Sequence, residues 1–199
     1  MSALLALERV HAHYGKSHIL HGVDFHVAPG EVVSLLGRNG SGRSTTMKTI
    51  MGLVPATGGE ILLQGKRISG ARSFEICRAG VAFVPEGREV FANLTADENL
   101  RMGEQAARAG RVLWSVEQMF DYFPRLKERR NTKAGSLSGG EQQMLTMCRS
   151  LLGNPLVMLI DEPTEGLAPK IVQVVGEAIR DIHSKGVSVV LVEQKLAIA

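Results

Sequence analysis

The chain reads as an α/β fold: a parallel α/β core entered through an N-terminal antiparallel β-hairpin region and interrupted by an inserted helical subdomain. Three observations predict it. Residues 4–27 alternate as two strands around a turn. Short apolar runs recur at 31–36, 81–84, 156–160 and 187–192, of strand rather than helix length. Between Glu89 and Leu152 the strand pattern disappears and helical periodicity replaces it.

Each element follows in turn. Gly15-Lys16-Ser17 makes the first turn, and Val23, Phe25 and Val27 then alternate with Asp24 and His26, the period of a half-buried antiparallel strand. Pro29-Gly30 redirects the chain into Glu31-Val-Val-Ser-Leu-Leu36, an apolar run suited to a buried parallel strand. A glycine-rich loop, Gly37 to Gly42, leads into a helix over Ser44 to Met51. Further strands are expected at Ile61 to Gln64, Val81 to Val84, Leu156 to Ile160 and Val187 to Val192. Thr95-Ala-Asp-Glu98 is a capping box that opens one helix, and Leu113, Val116, Phe120 and Phe123 stripe another. Ile171, Val174, Val175, Ala178, Ile179 and Ile182 share one helical face. The expected organisation is a single domain over 1–199, with 1–88 and 153–199 as the core and 89–152 as the helical subdomain.

Composition narrows the function. With 199 residues, 44% of them hydrophobic, the chain is long enough to bury a substantial core. The balance of 23 basic against 20 acidic residues gives only +3, and no Lys/Arg stripe is interleaved with aromatics, which argues against nucleic acid as a partner. Cys77 and Cys148 lie far apart without CxxC spacing, so neither a disulfide framework nor a zinc site is indicated. No apolar run approaches the roughly 20 residues that span a bilayer, and the N-terminus reaches Glu8 without a basic leader. The chain reads as soluble and as meeting a membrane only through a partner.

Gly37-Arg-Asn-Gly-Ser-Gly-Arg-Ser44 fits the phosphate-loop pattern G-x-x-x-x-G-K-[ST] at every fixed position but one, where Arg43 replaces lysine. Gly37, Arg38, Asn39, Gly40, Ser41, Gly42, Arg43, Ser44 and Thr45 are therefore candidate nucleotide-binding residues. Backbone N–H groups of such a loop, with the helix N-terminus behind them, hold phosphate, and Ser44 is placed to ligate Mg²⁺. The core is accordingly that of a P-loop NTPase. An arginine can still grip phosphate through two N–H groups, and its longer fork also crowds the outermost phosphate. Retained binding is expected, with turnover left open.

Leu156-Val-Met-Leu-Ile160 ends in Asp161-Glu162. Read alone, an acidic pair after a strand is equally helix-capping chemistry; the phosphate loop upstream favours Asp161 on the Mg²⁺ shell and Glu162 as the group that polarises the attacking water. Leu137-Ser-Gly-Gly-Glu-Gln-Gln143 opens a helix whose N-terminus, at Ser138, Gly139 and Gly140, suits a phosphate.

With the hexad Leu137-Ser-Gly-Gly-Glu-Gln142 the chain resembles the ATP-binding cassette (ABC) ATPases, over residues 4 to 198. The resemblance implies a head-to-tail pair of ATPase subunits in which Ser138, Gly139, Gly140 and Gln142 act on the partner's nucleotide. It implies ATP and Mg²⁺ as ligands, Tyr14 stacked on adenine, Glu162 as the catalytic residue, and Ser44, Asp161 and Glu86 at the metal. Glu86 stands where many members have glutamine, and Gln194 where histidine is usual. Val84-Pro-Glu-Gly-Arg-Glu-Val-Phe91, Leu94-Thr-Ala-Asp-Glu-Asn-Leu100 and Glu193-Gln194 are similar to one branch, the ATPase subunits of branched-chain amino acid importers with relatives for urea and amides. Transmembrane permease subunits and a second ATPase subunit are the implied partners, and the cytoplasmic face of the inner or plasma membrane the implied location. Members normally continue past the strand at 187–192, so a truncated C-terminus is expected.

Other signals are weaker. His11, His13, His18, His21 and His26 fall close together, yet a solvated hairpin explains them better than a metal site. Lys127 to Lys133 reads as a solvated loop. Two competing functions stay open: a nucleotide-responsive binding module with little hydrolysis, and a soluble ABC ATPase of translation or DNA repair. The latter normally needs paired cassettes or long insertions, for which 199 residues leave no room.

Overall fold

The computed structural model describes residues 3–105 and 114–193. The chain opens with β1 (Leu5–Tyr14) and β2 (Ser17–Val27), an antiparallel pair. It continues through β3 (Val32–Leu36), α1 (Arg43–Ile50), β4 (Ala56–Leu63), β5 (Lys66–Arg67), α2 (Ser73–Ala79) and β6 (Val81–Val84). Short helices follow: α3 (Ala96–Arg101), α4 (Val116–Tyr122) and α5 (Pro124–Glu128). After a 3-10 turn at Ala134–Ser136 come α6 (Gly139–Leu151), β7 (Val157–Asp161), α7 (Pro169–Ser184) and β8 (Ser188–Glu193).

The strands form two sheets. One is antiparallel in the order β2-β1-β4-β5; the other is parallel in the order β3-β8-β7-β6. Alternation along β7 divides its side chains between two cores. Val157 and Leu159 pack with the antiparallel sheet, α1 and α2, through Leu5, Leu7, Met47, Ile50 and Ile76. Met158 and Ile160 pack on the other side with α4, α6 and α7, through Phe120, Leu145, Val175 and Ile179. Both faces of the parallel sheet are thus covered, which is why its strands read as unbroken apolar runs.

The capping box at Thr95 is present: its hydroxyl accepts from the Glu98 N–H, and the Glu98 carboxylate accepts from the Thr95 N–H at 2.7 Å. Val116, Phe120 and Phe123 are buried as their spacing predicts, while Leu113 lies outside the described residues. Three expectations change. The run at 31–36 does form a parallel strand, but β3 is the sheet edge among the described residues, with Val32 39% and Leu36 48% exposed. The fourth strand is longer than Ile61 to Gln64, since it begins at Ala56 and runs through Gly58 and Gly59. Those glycines hide a strand from pattern reading, and they are there for space: a Cβ on Gly59 would sit 2.2 Å from the Arg9 carbonyl oxygen, where β1 shifts register. The basic run 127–133 is not all solvated, because Arg130 reaches Asp97 Oδ1 at 2.6 Å and lies over the Phe120 ring at 4.7 Å.

Candidate functional site

The phosphate loop joins the C-terminal edge of β3 to α1. Its last glycine, Gly42, is the N-cap of α1 with φ +91°, a conformation that glycine adopts without strain. A Cβ there would also press on Leu20 Cδ2 at 3.0 Å. Gly37 is bare because a Cβ would meet Ser41 Oγ at 2.8 Å. Helix α1 has no side-chain cap and no acidic residue in its first turn. Its N-terminal N–H groups and the positive end of its dipole therefore favour an external anion.

A cavity of about 370 Å³ opens over this N-terminus. Residues 39–45 line it together with Tyr14, Ile19, Glu86, Glu162 and Glu165. Tyr14, at the end of β1, is 48% exposed, so its ring is available to a ligand face. Ser44 Oγ donates to Asp161 Oδ1 at 3.1 Å, closing the loop against the acidic end of β7. Both groups are placed by rigid elements, a helix N-terminus and a fully buried strand.

The acid groups here are held in an unfavourable state. Burial raises the Asp161 carboxyl above the usual range; the Ser44 hydroxyl opposes this, and the charges of Glu86 and Glu162 add to it. Glu165 is raised as well, first by a hydrogen bond with Glu86, then by desolvation and the charges of Glu86 and Glu162. Carboxylates crowd one another in this way where a cation is wanted to neutralise them. The donor set, carboxylates and a hydroxyl, is all oxygen, as Mg²⁺ prefers. The residues present thus fit a magnesium-bound phosphate chain.

Glu162 adopts φ +45°, the left-handed region, which costs a non-glycine residue on the order of 1 kcal/mol or more. Its N–H is tied to the Val192 carbonyl at 3.0 Å, so β8 fixes the position from which the side chain starts. Arg43 is only 9% exposed and points at the strand ends: Nη1 donates to the Glu193 carbonyl at 2.6 Å, and Nη2 lies 3.3 Å from Glu162 Oε1.

Ser138 and Gly140 do not reach this cavity. They line a separate groove with Phe123, Met144 and Ile171. Ser138 caps α6, accepting from the Glu141 N–H in a reciprocal capping box. Gln142 donates to the Ala134 carbonyl at 3.1 Å, tying α6 to the turn before it. Gly139 lies against Arg88, whose Nη1 would be 2.4 Å from an added Cβ. Arg38 contributes its carbonyl to the loop, accepting from the Ser41 N–H at 3.1 Å. Gln194 lies outside the described residues.

Sequence reading did not single out Arg88, Glu165 or Glu193 as site residues. Arg88 Nη2 donates to the Glu165 carbonyl at 2.8 Å, joining the segment after β6 to the loop after β7. Nothing local in the sequence marks that contact, since the two residues are 77 positions apart. Among the described residues, no group of His, Cys, Asp and Glu has the geometry to hold a metal by itself. His13 nevertheless stacks on His18, with ring centroids 4.1 Å apart, and His21 lies 3.9 Å from His18.

Comparison with known proteins identifies the family. The family model described as "ABC transporter" matches residues 20–165. The chain belongs to that family. This ABC ATPase is 44% identical to the high-affinity branched-chain amino acid transport ATP-binding protein BraG of Pseudomonas aeruginosa, over 96% of this chain and 82% of that protein. It is 34% identical to a probable branched-chain amino acid transport ATP-binding protein, LivF, of Archaeoglobus fulgidus, over 97% and 82%. Among solved structures it is similar to a nucleotide-free ATP-binding cassette from an ABC transporter, with TM-score 0.84, 26% identity and coverage of 99% and 83%. A dimeric cassette in a post-hydrolysis state, bound to ADP and Pi, gives TM-score 0.83 at 26% identity, covering 98% and 90%. The P-loop NTPase fold expected from the sequence is therefore the fold of the ABC ATPase. Among the described residues no helix is long and apolar enough to cross a membrane.

Proposed function

We propose that this chain is the ATP-hydrolysing subunit that powers a membrane importer of branched-chain amino acids or related small molecules. The observation that carries the chemistry is the closure of Ser44 on Asp161 at 3.1 Å, which brings the phosphate loop and the acidic strand end into one oxygen-lined site. The N-terminus of α1 and residues 37–45 hold the phosphates, and Tyr14 stacks on the base. Ser44, Asp161 and Glu86 would hold Mg²⁺, which would neutralise charge on the outer phosphates. Glu162 orients the attacking water and accepts its proton.

Ser138, Gly139, Gly140 and Gln142 serve the nucleotide of a second ATPase subunit facing head to tail. The place of Ser138 and Gly140 in a groove apart from this chain's own cavity supports that reading. The core formed by 1–88 and 153–199 binds nucleotide, and the helical subdomain 89–152 passes closure of the dimer to transmembrane permease subunits. The chain is then peripheral to the cytoplasmic face of the membrane through those subunits.

The test is Mg-ATP turnover measured against protein concentration, with ATP binding followed in parallel. Turnover rising faster than linearly is expected, and Glu162→Gln should keep binding while lowering turnover by about 100-fold or more. Undiminished turnover in Glu162→Gln would remove Glu162 from the reaction.

A further inference from the structure

The phosphate loop of this chain has an arginine where its pattern calls for lysine, and that arginine has partners inside the protein. The Arg43 guanidinium spans three segments: Asn39 Oδ1 of the loop at 3.4 Å, Glu162 Oε1 beyond β7 at 3.3 Å, and the Glu193 carbonyl at the end of β8 at 2.6 Å. Both members of the Arg43–Glu162 ion pair are 9% exposed, so bulk water screens it little. A guanidinium presents fixed, divergent N–H groups and can hold the Glu162 carboxylate and the Glu193 backbone carbonyl at once. A lysine ammonium is a single point on a shorter stem and lacks that fork.

A carboxylate oxygen engaged by a guanidinium is not available to a water proton. Phosphate offers the guanidinium the same paired oxygens with more negative charge, and Arg43 lines the cavity in which the phosphates would sit. We propose that Arg43 is a latch on Glu162: in the nucleotide-free chain its guanidinium holds the carboxylate, and the phosphates of an incoming nucleoside triphosphate draw it away and release Glu162. Arg43 is in this respect a positioning residue, acting on the reaction through Glu162. The inference rests on the assignment of the phosphate site and of Glu162 made above.

Four proteins test it: the parent chain, Arg43→Gln, Glu162→Gln and the double variant. ATP affinity is measured in EDTA, where hydrolysis does not intrude, and the urea midpoint of each nucleotide-free protein is measured alongside. The latch predicts that Glu162→Gln tightens ATP binding about tenfold when Arg43 is present, and by no more than about twofold in the Arg43→Gln background. It also predicts non-additive urea midpoints, the double variant being no less stable than the weaker single variant. Equal gains in both backgrounds with additive midpoints would overturn the latch and leave the phosphate site standing. If no variant alters ATP affinity, the phosphate-site assignment itself fails. Should the glutamine variants not fold, Arg43→Lys and Glu162→Asp take their places in the same cycle, and non-additive ATP affinities are again expected. Additive affinities would overturn the proposal.

Discussion

Replacement of Asn99 should loosen the segment that carries Glu86 and Arg88 toward α3. Asn99 is fully buried in α3. Its Oδ1 accepts from the Phe91 N–H at 2.9 Å and from Arg149 Nη1 at 3.2 Å. Its Nδ2 donates to the carbonyls of Phe91 at 3.0 Å, Thr95 at 3.0 Å and Leu94 at 3.3 Å. One amide thus closes the loop between β6 and α3 on itself. Asn99→Ala takes the acceptor from the Phe91 N–H and from Arg149 Nη1, at about 1–3 kcal/mol, and removes side-chain packing besides, while the three carbonyls keep their backbone partners. A total of about 3 kcal/mol is expected, a large share of the ~10 kcal/mol that holds a typical domain together. For a domain of this size that lowers Tm by roughly 6–12 °C. Asn99→Asp keeps the acceptor and loses the donors, so it should fall between. Thermal unfolding followed by circular dichroism, without nucleotide, reads both. A shift in Asn99→Ala below about 2 °C would refute the argument, because it would mean that water replaces every lost bond.

The remaining predictions concern single groups. Gln143, in α6, is 2% exposed, and its Nε2 has no partner among the described residues. Gln143→Met should leave the urea midpoint unchanged or raise it, and a loss above about 1 kcal/mol would mean that the amide is satisfied. Burial holds the Cys148 thiol well above its usual range. Iodoacetamide at about pH 8 should therefore spare Cys148 until the protein is unfolded, and labelling in the native protein at the rate of a free thiol would contradict this. The His18 imidazole sits below its ordinary 6.5, first through desolvation among the neighbouring rings, then through the charges of His21 and His13. A proton thus binds the unfolded chain more readily, so the stability linked to His18 is present above pH 6.5 and is lost as pH falls through the lowered folded value. Urea midpoints taken downward from pH 6.5 should fall less steeply in His18→Gln than in the parent, and parallel curves would refute the assignment.

Several parts of the site could be read from the chain alone because their physics is local. A glycine-rich loop between a strand and a helix needs only its own spacing to be recognised, and Gly42 stands at the N-cap of α1 as that spacing predicts. The capping boxes at Thr95 and Ser138 likewise lie within four consecutive residues. Pattern reading failed where tertiary contacts override the local signal. Gly58 and Gly59 interrupt the alternation of β4, yet they are required by the register shift in β1 opposite them. The apolar run of β3 has the composition of an interior strand, and only the order β3-β8-β7-β6 reveals its edge position.

The amino-acid sequence by itself determined the fold class, the phosphate loop, the acidic strand end and the departure at Arg43, since each depends on residue type at fixed short spacing. Where the Arg43 guanidinium goes was decided only by the tertiary structure. Its partners Glu162 and Glu193 are 119 and 150 positions away, and no spacing rule links them to the loop. They meet because β7 and β8 are adjacent parallel strands, which end side by side, and because the loop after β3 enters the same edge of that sheet. Parallel pairing gathers distant residues at one end of a sheet. A chain read in order cannot show that, because the contact comes from folding and not from neighbourhood in the sequence.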